Sequence, residues 1–105
     1  MSASVALFDR FLSTAAMSEV FDTPAVVQGM LDVEAALARA QAAEGVIPAE
    51  AAPAIASACR HERYDLDALV VAGARAGSLA IPLVKALTAA VAADDPQAAS
   101  WVHRG

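Results

Sequence analysis

The sequence has one cysteine, Cys59, so no disulfide can close within the chain. Aromatic side chains make up only 5% of the 105 residues, which excludes a core built on bulky rings. Cationic residues are scarce as well. Seven Lys and Arg stand against twelve Asp and Glu, for a net charge of −5 and a pI near 4.7. Recognition of a nucleic-acid backbone requires clustered Lys and Arg, so that partner class is excluded. No stretch without a charged residue exceeds nine residues. A transmembrane helix needs about 20 apolar residues, so the mean hydropathy of +0.50 is not a membrane signal. The first eight residues carry no positive charge and Asp9 interrupts any apolar run, so no secretory leader is expected. These features together point to the cytoplasm. The five glycines are isolated from one another, which excludes a Gly-rich phosphate loop.

What the chain does have is alanine. The composition is 58% hydrophobic, much of it Ala, which has the best helix propensity of any residue but buries little area. Closely packed helices are therefore expected, in one all-α domain without strands. Residues 1–21 read as an irregular entry with apolar anchors at Leu7, Phe8, Phe11, Leu12, Met17, Val20 and Phe21, and a helical turn over residues 18–21. A first long helix opens at Thr23-Pro24, with Thr23 as N-cap and Pro24 at N1. Val26, Met30, Val33 and Leu37 form its apolar stripe, Gln28, Asp32 and Arg39 lie on another face, and Gly45 stops it. Val46-Ile47-Pro48 follows as an extended link. A second helix spans residues 49–60, with its first turn distorted by Pro53. A third starts from Asp65, carries Leu66, Leu69, Val70 and Ala74, and ends at Gly77. A fourth begins near Ile81-Pro82 with Leu83, Val84, Leu87 and Val91. Asp94-Asp95-Pro96 opens a short last turn before Trp101-Val102-His103-Arg104-Gly105.

Few residues offer chemistry. Cys59, His61 and His103 are too few, and too far from any second pair, for a zinc site. Cys59 reads as a small buried hydrophobe. Glu62-Arg63-Tyr64-Asp65 reads as a solvated polar loop, and Lys85 as a solvated cation. His103, beside Arg104 and Gly105 at the end of a helical region, can present its ring nitrogens to a carboxylate.

Met30-Leu31-Asp32-Val33-Glu34-Ala35-Ala36-Leu37-Ala38-Arg39-Ala40, followed by Gly45-Val46-Ile47-Pro48, resembles the N-terminal helix and loop of the fumarase/aspartase superfamily. Ala80-Ile81-Pro82-Leu83-Val84-Lys85-Ala86-Leu87 is similar to a segment of its lactone-forming, cycloisomerase branch. Trp101-Val102-His103-Arg104-Gly105 resembles the opening of the superfamily's first conserved region. The likeness extends from about Phe8 to Gly105. It implies that this chain is the N-terminal helical domain of a longer homotetrameric enzyme, inactive alone, with the catalytic Ser loop beyond Gly105. The implied reaction is cofactor-free: a carboxylate of a tricarboxylate substrate adds across a conjugated double bond and closes a γ-lactone, in the breakdown of aromatic acids.

By the same resemblance, His103 matches the signature His and would contact substrate. Arg104 stands where an aromatic residue is usual; its guanidinium can help hold a carboxylate. Ser78 falls where related adenylosuccinate lyases carry Thr-Arg-His-Asp, and where the cycloisomerase branch more often has Asn. Its hydroxyl either donates to a substrate carboxylate or simply belongs to a helix-breaking loop. Two alternatives remain: a fumarate-releasing lyase of the same superfamily, which the missing Thr-Arg-His-Asp disfavours in its adenylosuccinate form, and a non-enzymatic helical interaction module. A segment of a larger bundle would also expose apolar faces, so the isolated chain is expected to be marginally stable or self-associating.

Overall fold

The computed structural model describes residues 22–104. The expected entry over residues 1–21, and Gly105, lie outside the described residues. Among the described residues every regular element is helical, and no helix is long and apolar enough to cross a membrane.

Helix α1, Thr23–Ala43, begins one residue earlier than the sequence suggests. The N-cap is Asp22, whose carboxylate accepts from Ala25 N–H at 3.2 Å. Asp caps at least as well as Thr, so Thr23 joins the helix and Pro24 falls in the first turn, where no N–H is owed. The buried face also differs from the expected stripe. It consists of Val27, Met30, Leu31, Glu34, Ala35 and Ala38, whereas Val33 is 41% exposed and Val26 and Leu37 are half-buried. α1 packs chiefly on α2, Ala51–Ser57. Ala35 and Ala38 on the buried face are small, and an alanine-rich sequence offers such faces on more than one side. The C-terminal end of α1 closes as expected at Gly45 (φ +73°), with Val46 N–H donating to Gln41 O at 2.8 Å.

Helix α2 is shorter than the expected 49–60. Residues 46 and 47 bend rather than extend, and Pro48 O accepts from Ala51 N–H at 3.0 Å in a turn before the helix. Pro53 lies in the first turn and costs no hydrogen bond. After α2, a 3-10 turn over His61–Arg63 leads to α3, Leu66–Ala76. Asp65 caps α3 by accepting from Ala68 N–H at 3.1 Å. Leu69 is buried and Leu66 half-buried, but Val70 and Ala74 face outward. Gly77 (φ +71°) ends α3 in the left-handed conformation, with Ser78 N–H on Gly73 O at 3.0 Å. Gly73 is needed for a different reason. A Cβ there would sit 3.1 Å from Leu79 Cα, closer than most Cβ contacts, so any larger residue would push the next segment back by a few tenths of an ångström.

Helix α4, Ala80–Asp94, carries Leu83, Leu87 and Val91 at four-residue spacing into the core, all at most 1% exposed. Among the described residues, with Val27, Leu31 and Ile55 they are the largest fully buried side chains, each contributing about 1.5–3 kcal/mol through burial. Asp95 caps the short α5, Pro96–Ala99, accepting from Gln97 and Ala98 N–H at 3.2 Å, as the Asp-Asp-Pro sequence suggests. α5 packs against α4 and α2, which delivers Trp101, Val102 and His103 to the flank of α1.

Candidate functional site: the Glu34–His103 pair

Three consecutive turns of α1 point Val27, Met30, Leu31, Glu34, Ala35 and Ala38 inward. Glu34 is the exception in that list, a carboxylate only 4% exposed. A buried carboxylate must be paired or hydrogen-bonded, and Glu34 is: its Oε1 is hydrogen-bonded to His103 Nδ1. The His103 side chain is itself only 10% exposed. The segment after α5 turns back to make this contact, and His103 adopts φ +54°, in the left-handed region. A non-glycine residue there costs about 1 kcal/mol or more, although His is among the residues enriched in that region. The Glu34 contact holds it in place.

Burial pushes the Glu34 carboxyl above its ordinary range, and the neighbouring imidazole pulls it partly back. Cys59, just beyond α2, is buried as expected, with its thiol on Ile55 O at 3.3 Å. Burial, reinforced by the Glu34 and Asp32 carboxylates, pushes that thiol up to about 11. Cys59 therefore stays a thiol and is no nucleophile. Among the described residues no group of three or more His, Cys, Asp and Glu is placed to hold a metal ion.

The other two candidates have structural partners. Ser78 is buried at the α3–α4 junction, and its hydroxyl accepts from Ile81 N–H at 3.4 Å, where it serves the start of α4. Arg104 is exposed. Its Nε donates to Ser100 O at 2.7 Å and its guanidinium lies 5.7 Å from the centre of the Trp101 ring, a cation–π arrangement. Gln41 of α1 donates to Arg104 O at 2.7 Å and ties the chain end back to α1.

In the polar stretch Glu62-Arg63-Tyr64-Asp65, Glu62, Arg63 and Asp65 are exposed as expected, while Tyr64 is half-buried. Tyr64 OH donates to Ala58 O at 2.7 Å, and burial pushes the phenol up to about 12. Arg63 reaches Ser57 O at 3.2 Å and Asp94 at 3.1 Å. Gln28, placed above on another face of α1 than the apolar stripe, bridges it to this turn: it donates to Cys59 O at 3.0 Å and accepts from His61 N–H at 2.9 Å. These ties fix the turn against α1. Glu34 and Gln28 are the residues that reading the sequence missed. The signal for Glu34 was its spacing, three and four residues from Met30, Leu31 and Ala38 on one helical face.

An all-helical scaffold with this order of elements carries the fumarase/aspartase-like fold and matches the helical N-terminal domain of that fold. The crystal structure of 3-carboxy-cis,cis-muconate lactonizing enzyme from Pseudomonas putida superposes with a TM-score of 0.77 at 51% identity, over 93% of this chain and 22% of that one. In sequence, the chain is 52% identical over 99 residues, 94% of its length, to a 3-carboxy-cis,cis-muconate cycloisomerase of Pseudomonas putida, and 56% identical to one of Bradyrhizobium diazoefficiens. Those alignments cover 24% and 22% of the two relatives. A nitrosuccinate lyase of Streptomyces davaonensis is 53% identical over 76 residues, 72% of this chain and 16% of the lyase. No protein-family model matches the chain. The chain thus matches a segment of the cycloisomerase and spans about a quarter of the length of these curated cycloisomerases.

Proposed function

We propose that this chain is the N-terminal helical portion of a cycloisomerase that lactonises 3-carboxy-cis,cis-muconate in protocatechuate breakdown. The observation that carries the reading is the identity above 50% to two such enzymes over 94% of the chain. In this reaction a carboxylate oxygen of the substrate bonds to the β-carbon of a conjugated double bond, and a proton adds at the carbon beside another carboxylate. Product and substrate are isomers, so the reaction needs no oxidant, reductant or group donor. The demanding species is the aci-carboxylate that forms between the two steps, and preorganised hydrogen-bond donors stabilise it.

In this reading His103 donates to a substrate carboxylate. Arg104 and Ser78 are further candidates for the substrate's remaining oxygens. The catalytic Ser loop lies in the rest of the enzyme, so the 105 residues alone turn nothing over. The complete enzyme is a cytoplasmic homotetramer, its partner a small tricarboxylate.

The similarity to a nitrosuccinate lyase favours one alternative: a lyase that removes the substituent and a β-proton from a substituted succinate and leaves fumarate. The complete protein separates the two readings. Incubation with 3-carboxy-cis,cis-muconate followed by proton NMR is expected to show a γ-lactone. Fumarate released from a substituted succinate, with no lactone from the muconate, overturns the cycloisomerase reading in favour of the lyase.

A further inference from the structure

The proposed reaction gives His103 a substrate to hold but gives Glu34 no task. Glu34 occupies a place where an apolar side chain would suit the core better, on the inner face of α1 at 4% exposure. Its Oε1 meets His103 Nδ1 from 69 positions away in sequence. The His103 backbone is held at φ +54° where the two join. A ring tethered through Nδ1 meets any further partner through Nε2, and the hydrogen bond at one nitrogen decides which tautomer is present.

We infer that Glu34 is a positioning residue for His103: its carboxylate accepts the Nδ1–H hydrogen bond, fixes the ring's tautomer and orientation, and so presents Nε2 to a carboxylate of the substrate. The inference rests on the reading of His103 as a substrate ligand. In the liganded state both ring nitrogens carry protons. Nδ1–H is on Glu34 and Nε2–H is on the substrate, the second proton coming from solvent as the anion binds. The Glu34 charge balances the imidazolium, and the donor at Nε2 becomes charge-assisted. Orientation of a functional imidazole by a carboxylate on its other nitrogen is a general device in acid–base sites.

The sequence holds two histidines, so the chain labelled with 15N-histidine gives a simple ring spectrum, and His61→Asn assigns it. At pH 7 His103 is expected to carry its proton on Nδ1, to lose that preference in Glu34→Leu, and to keep it in Glu34→Asp. A bare Nδ1 in the unsubstituted chain, with its helical circular dichroism intact, overturns the inference whether or not any variant folds. So does a folded Glu34→Leu chain that keeps the Nδ1–H form.

In the complete enzyme, Glu34→Gln is expected to raise KM at least tenfold while Glu34→Asp recovers most of the loss. A purely structural Glu34 would lower Tm and leave KM in place, and that outcome refutes the positioning role. The two readings fail separately. Absence of lactone formation removes the substrate but leaves the ring spectrum intact, and a wrong tautomer removes Glu34's role but leaves the substrate standing.

Discussion

Two glycines in helix interiors provide an internal comparison. Replacing an interior helical Gly with Ala removes a backbone-entropy penalty worth about 0.5–1 kcal/mol. At Gly29, on the exposed side of α1, a Cβ would meet nothing within 4 Å. Gly29→Ala therefore keeps the whole gain. At Gly73 in α3, the same Cβ would stand 3.1 Å from Leu79 Cα, 3.3 Å from Leu79 Cδ1 and 3.4 Å from Ser78 O. Two of those three atoms are backbone, so the α3–α4 junction itself must move. Overpacking of this kind costs about 1–3 kcal/mol, which exceeds the helix gain.

Gly73→Ala is thus expected to destabilise by up to about 2 kcal/mol. The two variants should be separated by about 1–3 kcal/mol, and each kcal/mol corresponds to about 4–8 °C in Tm for a domain of this size. Urea titrations followed by circular dichroism at 222 nm, on both variants and the parent, measure the gap. If Ala at 73 stabilises as much as Ala at 29, the close approach of Leu79 to α3 is wrong, and the placement of Ser78 fails with it.

Glu34 makes the fold pH-sensitive in a defined direction. Its folded carboxyl is shifted up from the ordinary value of 4.5, so the folded state holds its proton more tightly than the unfolded one. That contribution is fully present below pH 4.5 and is lost as pH rises through the shifted value. The stability of the parent minus that of Glu34→Gln should therefore fall as pH rises from 4.5, by denaturant titration; a constant difference contradicts the burial of the carboxyl. Cys59, with its thiol near 11 against an ordinary 9.0, should react about a hundredfold more slowly with iodoacetamide at pH 8 in the folded chain than in urea. Equal rates would place it at the surface. Val46, Val71 and Ile81 are 58%, 53% and 48% exposed, so the isolated chain should self-associate in sedimentation velocity, and Val71→Lys with Ile81→Lys should shift it toward monomer. A monodisperse parent monomer refutes that expectation.

The elements most legible in the sequence were those fixed by local chemistry. Asp65, Asp95-Pro96, Gly45 and Gly77 mark helix ends because capping oxygens and left-handed glycines act within a few residues. Even so, the cap of α1 shifts from Thr23 to Asp22, because both residues can cap and only the full helix decides between them. The phase of the α1 stripe was harder to read. In an Ala-rich helix several faces are apolar enough to bury, and tertiary packing selects the one with Ala35 and Ala38. That error in phase hid Glu34, since a stripe through Val33 and Leu37 leaves it looking like an ordinary solvated acid.

His103 was singled out through its resemblance to a conserved region, not through anything its neighbours in sequence do. Its partner is 69 positions away, and no local pattern joins the two. The Gln28 and Tyr64 ties were missed for the same reason: side chains that bond to distant backbone atoms look like surface residues until the fold brings the acceptor to them.

The most direct test of the account is a crystal structure of the complete protein with a non-reacting tricarboxylate analogue of 3-carboxy-cis,cis-muconate. His103 Nε2 is expected at hydrogen-bond distance, about 2.7–3.2 Å, from a ligand carboxylate, with Nδ1 still on Glu34. An analogue bound in the active site with no carboxylate near His103, or a His103 ring that has left Glu34, would contradict it.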